Sequence, residues 1–155
     1  MARIRVVGYG NPMRSDDGLG WQIAVDLFRT NRCPDVEVLP CHQLTPELAP
    51  AVSRADAVIF VDCEQGGTPG EICYKEVRCE SIPPSFTHHL IPGALLALSS
   101  ELFGACPRAC LLSIRGENYA SGDLLSPAVT SRIPDLKARL QRLIEERLTS
   151  APVAC

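Results

Sequence analysis

Residues 4–20 read IRVVGYGNPMRSDDGLG and join an apolar strand, a glycine-rich turn and the beginning of a helix. The apolar residues Ile4, Val6 and Val7 are typical of a buried strand. After the turn, apolar residues recur at offsets of three, four and seven, at Trp21, Ala24, Val25 and Phe28. This spacing is that of a helix with one apolar face against a sheet. A strand followed directly by such a helix predicts an α/β fold.

The turn between this strand and this helix carries two adjacent carboxylates. Glycine-rich turns at this position usually bind phosphate through backbone N–H groups and the helix dipole. Here Met13 stands where a dinucleotide fingerprint needs a small residue, the phosphate-loop lysine is absent, and Asp16 and Asp17 would repel a pyrophosphate. We therefore predict no nucleotide, and a site for a cation instead.

The two aspartates are predicted to have different main roles. One aspartate is enough to cap a helix N-terminus, so we assign capping mainly to Asp16, with a contribution to substrate positioning, and leave Asp17 for the site. We expect Gly8, Gly10 and Asn11 to hold a backbone conformation that lets a substrate chain approach closely.

The rest of the chain alternates strand and helix patterns. Strands are predicted at 3–8, 36–41, 57–62, about 71–77 and 109–114, and helices at about 18–29, 46–54, 92–103 and 134–148. This alternation predicts a three-layer α/β sandwich, with a mainly parallel five-stranded twisted sheet and helices on both faces. Too few residues separate the third and fourth strands for a crossover helix, so the fourth is expected to be antiparallel or at an edge.

Length and composition limit the classes of protein that fit. A chain of 155 residues predicts one domain, residues 1–148, and we expect 149–155 to be a flexible tail. The net charge of −3 without a basic run argues against nucleic-acid and membrane partners. Without a signal pattern or a long apolar segment, we expect a soluble cytoplasmic protein.

The eight cysteines are expected to be reduced thiols, mostly small core residues, because the chain shows no export signal. Cys106 and Cys110 have a loose metal-binding spacing. No second Cys/His pair accompanies them, so we expect no structural zinc.

A candidate site is predicted at the carboxyl ends of the strands. Asp62 ends the apolar third strand, and ligands of open parallel sheets bind beyond such ends where strand order reverses. If the order begins 2-1-3, Asp17 and Asp62 converge. His88 and His89 precede the helix at 92, and at most one of these adjacent side chains can enter the site. The imidazole of His88 and the two carboxylates would form an open site compatible with nickel, zinc or iron. His42, in another loop, is a second-rank candidate for the site.

Four motifs in fixed order resemble a known family. They are Gly8-x-Gly10-Asn11 with Asp16-Asp17-Gly18-x-Gly20, Val61-Asp62, Thr87-His88-His89-Leu90 before LLAL at 95–98, and GDLLSP at 122–127. Together they resemble the hydrogenase maturation endopeptidases over about the whole chain. The segment HQLTPEL at 42–48 is similar to the branch that processes soluble, NAD-reducing-type hydrogenases.

The resemblance implies an endopeptidase that removes the C-terminal extension of a [NiFe] hydrogenase large-subunit precursor after nickel insertion. It places the nickel-engaging positions on Asp17, Asp62 and His88, with His89 as the alternative imidazole. The first of these positions is Glu in some members. Nickel is expected to arrive bound to the substrate, because three open ligands hold a metal less tightly than a closed four-ligand site.

Two other functions use the same residues and stay open. One is a hydrolase of small substrates with its own zinc, and the other is a non-catalytic nickel-sensing chaperone module.

The sequence argues against a covalent mechanism, because a serine nucleophile elbow is absent. A Cys63/His88 dyad is disfavoured because Cys63 ends a buried strand beside Asp62.

Overall fold

A computed structural model describes residues 3–80 and 90–150 of the chain. In these residues five strands form one sheet: β1 (Ile4–Tyr9), β2 (Val36–Cys41), β3 (Ala57–Glu64), β4 (Ile72–Val77) and β5 (Arg108–Arg115). The strand order is β2-β1-β3-β5-β4. All neighbours are parallel except β4, which pairs antiparallel with β5 at the edge. The predicted 2-1-3 start and the antiparallel fourth strand are both confirmed.

Helices cover both faces of the sheet. They are α1 (Leu19–Thr30), α2 (Ala49–Ser53), α3 (Pro92–Phe103), α4 (Pro127–Thr130) and α5 (Ile133–Thr149), with short 3-10 helices at Ser15–Gly18 and Pro46–Leu48. Because strand side chains alternate between faces, the core divides into two clusters. One packs against α1, α4 and α5, and the other against α2 and α3. The predicted three-layer α/β sandwich is confirmed.

Local boundaries differ from the predictions in a few places. The helix predicted at 46–54 is split, because Pro46 and Pro50 lie within so short a segment. The short helix α4 was not predicted. The last helix continues through Thr149, one residue into the segment predicted as a tail. Within the described residues no helix is long and apolar enough to cross a membrane.

The prediction that all cysteines are reduced is wrong for two of them. Cys79 and Cys106 form a disulfide. Their contact follows from the sheet, because the antiparallel register sets Val77 opposite Ala109. The end of β4 and the approach to β5 are thereby brought together. Cys110 stays a free, buried thiol.

Candidate active site

A cleft of about 390 Å³ opens at the carboxyl ends of β1 and β3. Asp17 and Asp62 both line it, because β1 and β3 are direct neighbours in the sheet. Its walls come from four separate parts of the chain: Tyr9, Gly10, Asn11, Arg14 and Asp17; His42, Gln43 and Leu44; Asp62; and Leu90, Ile91 and Pro92. The predicted convergence of Asp17 with Asp62 is therefore present.

Asp17 is held in place by the turn before it. It lies in the 3-10 helix Ser15–Gly18, and its Oδ2 accepts a hydrogen bond of 2.8 Å from the backbone N–H of Asn11. The side-chain oxygen of Asn11 accepts one of 2.9 Å from the backbone of Met13, which fixes the turn itself. Asp17 is only partly buried, so its carboxylate is positioned and still open to the cleft.

The glycines of this turn allow two close approaches. Gly10 has φ = +148°, and a Cβ there would collide with the backbone carbonyl of Asp17. At Gly8 a Cβ would collide with the carbonyl of Gly20 and stand 2.6 Å from the Cβ of Ala24. Gly10 therefore has a backbone conformation with positive φ that favours glycine, as the sequence predicted for this turn. Gly8 is needed instead to pack α1 against β1.

We expect Gly10→Ala to lower the free energy of unfolding by about 2 kcal/mol or more, because it adds backbone strain and a steric collision at one position. Thermal or urea unfolding measures this loss. Gly104→Ala is the matched control: Gly104 has φ = +70° and open space around its Cβ position, so only strain of about 1 kcal/mol is expected. Equal effects of the two substitutions would contradict the collision at Gly10.

Asp62 lies where a negative charge is disfavoured. Burial raises the pKa of its carboxyl to about 7. Hydrogen bonds from the Cys63 backbone and the Tyr9 side chain oppose this shift, while the charges of Asp17 and Glu64 add to it. The Cys63 N–H donates to Oδ1 at 2.7 Å. Two carboxylates sharing one partly dry cleft would be stabilised by a cation between them.

Tyr9 is a site residue that the sequence analysis missed. Its ring packs edge-to-face on Phe60 with centroids 6.5 Å apart. Burial and the neighbouring Asp62 carboxylate raise the pKa of its hydroxyl, so Tyr9 remains a protonated donor toward Asp62. An aromatic residue at the end of a strand usually indicates core packing. The sequence signal for a role in the site was that Tyr9 ends β1, the strand predicted to lie next to the strand of Asp62.

Asp16 does not cap a helix, and that prediction is wrong. Neither the 3-10 helix nor α1 has a side-chain cap at its N-terminus. Asp16 is fully buried and its carboxylate accepts backbone N–H bonds from Glu117, Asn118 and Ser126 at 2.8, 2.9 and 2.7 Å. The Ser126 hydroxyl adds a fourth bond at 2.8 Å. Asp16 therefore anchors the loop after β5 to the turn of the site.

The remaining candidates fall into two groups. His88 and His89 lie outside the described residues. His42 lines the cleft and contacts the Trp21 ring with centroids 5.8 Å apart. Within residues 3–80 and 90–150, no group of three or more Asp, Glu, His or Cys side chains is placed to hold a metal ion.

Cys63 does not behave as an activated nucleophile. Burial raises the pKa of its thiol to about 12, although a hydrogen bond with Tyr119 acts in the opposite direction. Its sulfur lies 3.4 Å from the Tyr119 hydroxyl. The thiol is therefore protonated near neutral pH, which agrees with a space-filling role.

The fold matches a class of solved structures, the hydrogenase maturation endopeptidases. The chain is 26% identical to a [NiFe] hydrogenase maturation protease, HycI, from Thermococcus kodakarensis, with a TM-score of 0.72 and coverage of 96% of this chain and 94% of that one. An endopeptidase from Escherichia coli is 25% identical, with a TM-score of 0.73 and 93% coverage of each chain. The hydrogenase maturating endopeptidase HybD from E. coli shares the fold at 24% identity, with a TM-score of 0.76 and 93% coverage of each chain.

No protein-family model matches the sequence, and no curated protein matches it. The structural neighbours are peptide-bond hydrolases, and they confirm the resemblance to the hydrogenase maturation endopeptidases. The narrower similarity to the soluble, NAD-reducing branch stays a prediction.

Proposed function

We propose that this protein is an endopeptidase that removes the C-terminal extension of a [NiFe] hydrogenase large-subunit precursor after nickel has been inserted. The observation that carries the proposal is the meeting of Asp17 and Asp62 in one cleft at the carboxyl end of the sheet, in a chain that resembles a hydrogenase maturation protease over 96% of its length.

The two carboxylates are proposed to engage nickel that is already bound to the precursor. Both are oxygen donors at a position where their charges oppose each other, so a substrate-borne cation relieves that repulsion. Contact with the metal would then hold the extension in the cleft and bring the scissile bond to a fixed place, which can supply a large part of a cleavage barrier. In this way the enzyme distinguishes a precursor that contains nickel from one that does not.

The third proposed nickel-engaging residue is His88, with His89 as the alternative. Leu90, Ile91 and Pro92 form one wall of the cleft, and His88 precedes Leu90 by two residues in the sequence. The two-residue connection from Leu90 to His88 is short enough for an imidazole to reach Asp17 and Asp62. The closeness of His88 to Leu90 in the sequence supports a proposed site of two carboxylates and one imidazole with open positions for substrate ligands.

The proposed partner is the large-subunit precursor of a soluble, NAD-reducing-type hydrogenase, and the proposed location is the cytoplasm. The segment that suggested this branch begins at His42, and His42, Gln43 and Leu44 form part of the cleft wall. The segment that resembles this branch therefore lines the cleft in which we propose that the substrate chain binds.

The deciding experiment mixes the metal-free protein with purified precursor, with and without inserted nickel, and measures the product mass. We expect cleavage of the nickel-loaded precursor alone. We also expect a chelator to leave the melting temperature of the free protein nearly unchanged, and to block processing when it strips nickel from the precursor.

The other two functions give different outcomes in the same experiment. One firmly held zinc per chain, lost only together with the fold, would favour a resident-metal hydrolase. Binding of the loaded precursor without cleavage would favour a nickel-sensing chaperone module.

A further inference from the structure

A second cleft, of about 410 Å³, lies between α5 and the sheet edge formed by β4 and β5. Four of its lining residues are arginines, Arg108, Arg139, Arg142 and Arg147, and the others are Tyr74, Leu143 and Glu146. The chain as a whole carries a net charge of −3, so the cluster is a local excess of positive charge. We call it the arginine cleft.

The arginines converge because of the helix period and the sheet register. Positions 139, 142, 143, 146 and 147 follow the i, i+3, i+4, i+7, i+8 spacing and so occupy one face of α5. Arg108 begins β5 opposite Ala57, five register steps before Asp62 and Ser113. Arg108 is thus roughly 16 Å along the strand from the level of Asp62, at the amino end of β5.

Arg147 gives the strongest indication that this cleft binds a ligand. Its side chain is 9% exposed, and its Nη2 donates to the Tyr74 hydroxyl at 3.0 Å. The thiol of Cys110 is a second polar neighbour. Among the residues that the structure describes, none of the ion pairs involves any of the four arginines. A buried guanidinium with no carboxylate within ion-pair distance is a cation without a counter-charge.

We propose that the arginine cleft binds a small molecule carrying at least two oxyanion groups. Guanidinium forks match phosphate and carboxylate oxygens in a bidentate manner, and several of them around one cleft provide for more than one such group. The volume is that of a small-molecule pocket, which favours a free ligand over an acidic protein segment. The Glu146 carboxylate at the same cleft opposes binding and limits its strength.

The test measures binding of pyrophosphate and, separately, of citrate to the full-length protein by calorimetry at constant ionic strength. We expect saturable binding at one site per chain. Tighter binding of pyrophosphate identifies phosphoryl groups as the natural ligand chemistry, and tighter binding of citrate identifies carboxylates. Absence of saturable binding of both anions would overturn the proposal.

Variants locate the binding in the arginine cleft. Arg142→Gln and Arg108→Gln change exposed residues, so folding is preserved, and each is expected to weaken binding about tenfold or more. Glu146→Gln is expected to tighten it. Arg29→Gln, at an exposed arginine of α1, is the matched control and should have no effect. Equal weakening by Arg29→Gln and Arg142→Gln would show non-specific attraction and overturn the proposal. A protein that binds neither anion, and in which Arg142→Gln slows processing of the precursor, would also overturn it.

Discussion

Replacing Asp62 by asparagine is expected to reduce processing of the nickel-loaded precursor about 100-fold or more, without destabilising the protein. The substitution keeps the shape of the side chain and removes the charge that we propose engages the substrate metal, and small losses of positioning already have effects of this size. Product mass against time measures the rate.

The stability part of this prediction follows from the sign of the pKa shift. Burial raises the pKa of Asp62 from its ordinary value of 3.8 to about 7 in the folded protein. Ionisation therefore favours the unfolded state, and folding stability falls as the pH rises from about 4 towards 7. Asp62→Asn removes that penalty, so its melting temperature at pH 7 should equal or exceed that of the unmodified protein.

Two comparisons sharpen the result. Asp135→Asn changes an exposed aspartate of α5 that pairs with Arg132, the residue before the helix, and should leave the processing rate unchanged. His88→Ala should abolish processing and His89→Ala should have a milder effect. If His89→Ala alone abolishes processing, the imidazole is His89. An Asp62→Asn protein that is well folded and fully active would refute the proposed role of Asp62.

The part of the fold that the sequence predicted is the part controlled by local patterns. Apolar runs and the three-four spacing gave the five strands and the long helices, and the short connection after β3 gave the antiparallel edge. The site followed from the same logic, since Asp17 lies in the turn after β1 and Asp62 near the carboxyl end of β3, and these two strands are neighbours in the predicted order. Parallel strands with crossover helices leave few other arrangements.

What was missed depends on contacts between residues far apart in sequence. Tyr9 approaches Asp62 through side-chain packing on Phe60, and the disulfide between Cys79 and Cys106 depends on the register of β4 with β5. Arg147 is one of several charged residues between the apolar positions of α5 in the sequence. It is buried because its side of the helix meets the edge of the sheet, which the helical period alone does not reveal.

Contacts between Ser15 and the loop after β5 explain why the two adjacent aspartates point in different directions. Ser15 has φ = 51°, an unusual value for a residue other than glycine. It is fixed there by hydrogen bonds of 2.8 Å from its hydroxyl to the carbonyl of Ala120 and from its N–H to the carbonyl of Gly122. This arrangement places Asp16 toward the loop and Asp17 toward the cleft. Neighbouring residues of one motif thus have separate roles.

Asp16→Asn is therefore expected to lower the free energy of unfolding by about 3–5 kcal/mol, a typical cost of removing one partner from a buried charged network. The asparagine amide turns a donor toward groups that are themselves donors: the N–H groups of Glu117, Asn118 and Ser126. Ser126→Ala removes one hydroxyl that donates to Asp16 and also caps α4 by accepting from the Val129 N–H, and should cost about 1–2 kcal/mol. Urea unfolding at pH 7 measures both values.

The pH dependence and the neighbouring aspartate provide the tests. Burial alone would raise the pKa of Asp16, but hydrogen bonds from Ser126, Asn118 and Glu117 lower it below its ordinary value of 3.8. Its contribution to stability is thus present above about pH 4 and is lost as the pH falls through the lower folded pKa, so the difference between Asp16 and Asp16→Asn proteins should shrink in acid. Asp17→Asn should do the opposite of Asp16→Asn at neutral pH, retaining the melting temperature and losing precursor processing. If the two substitutions destabilise the protein equally, the division of roles between these adjacent carboxylates is wrong.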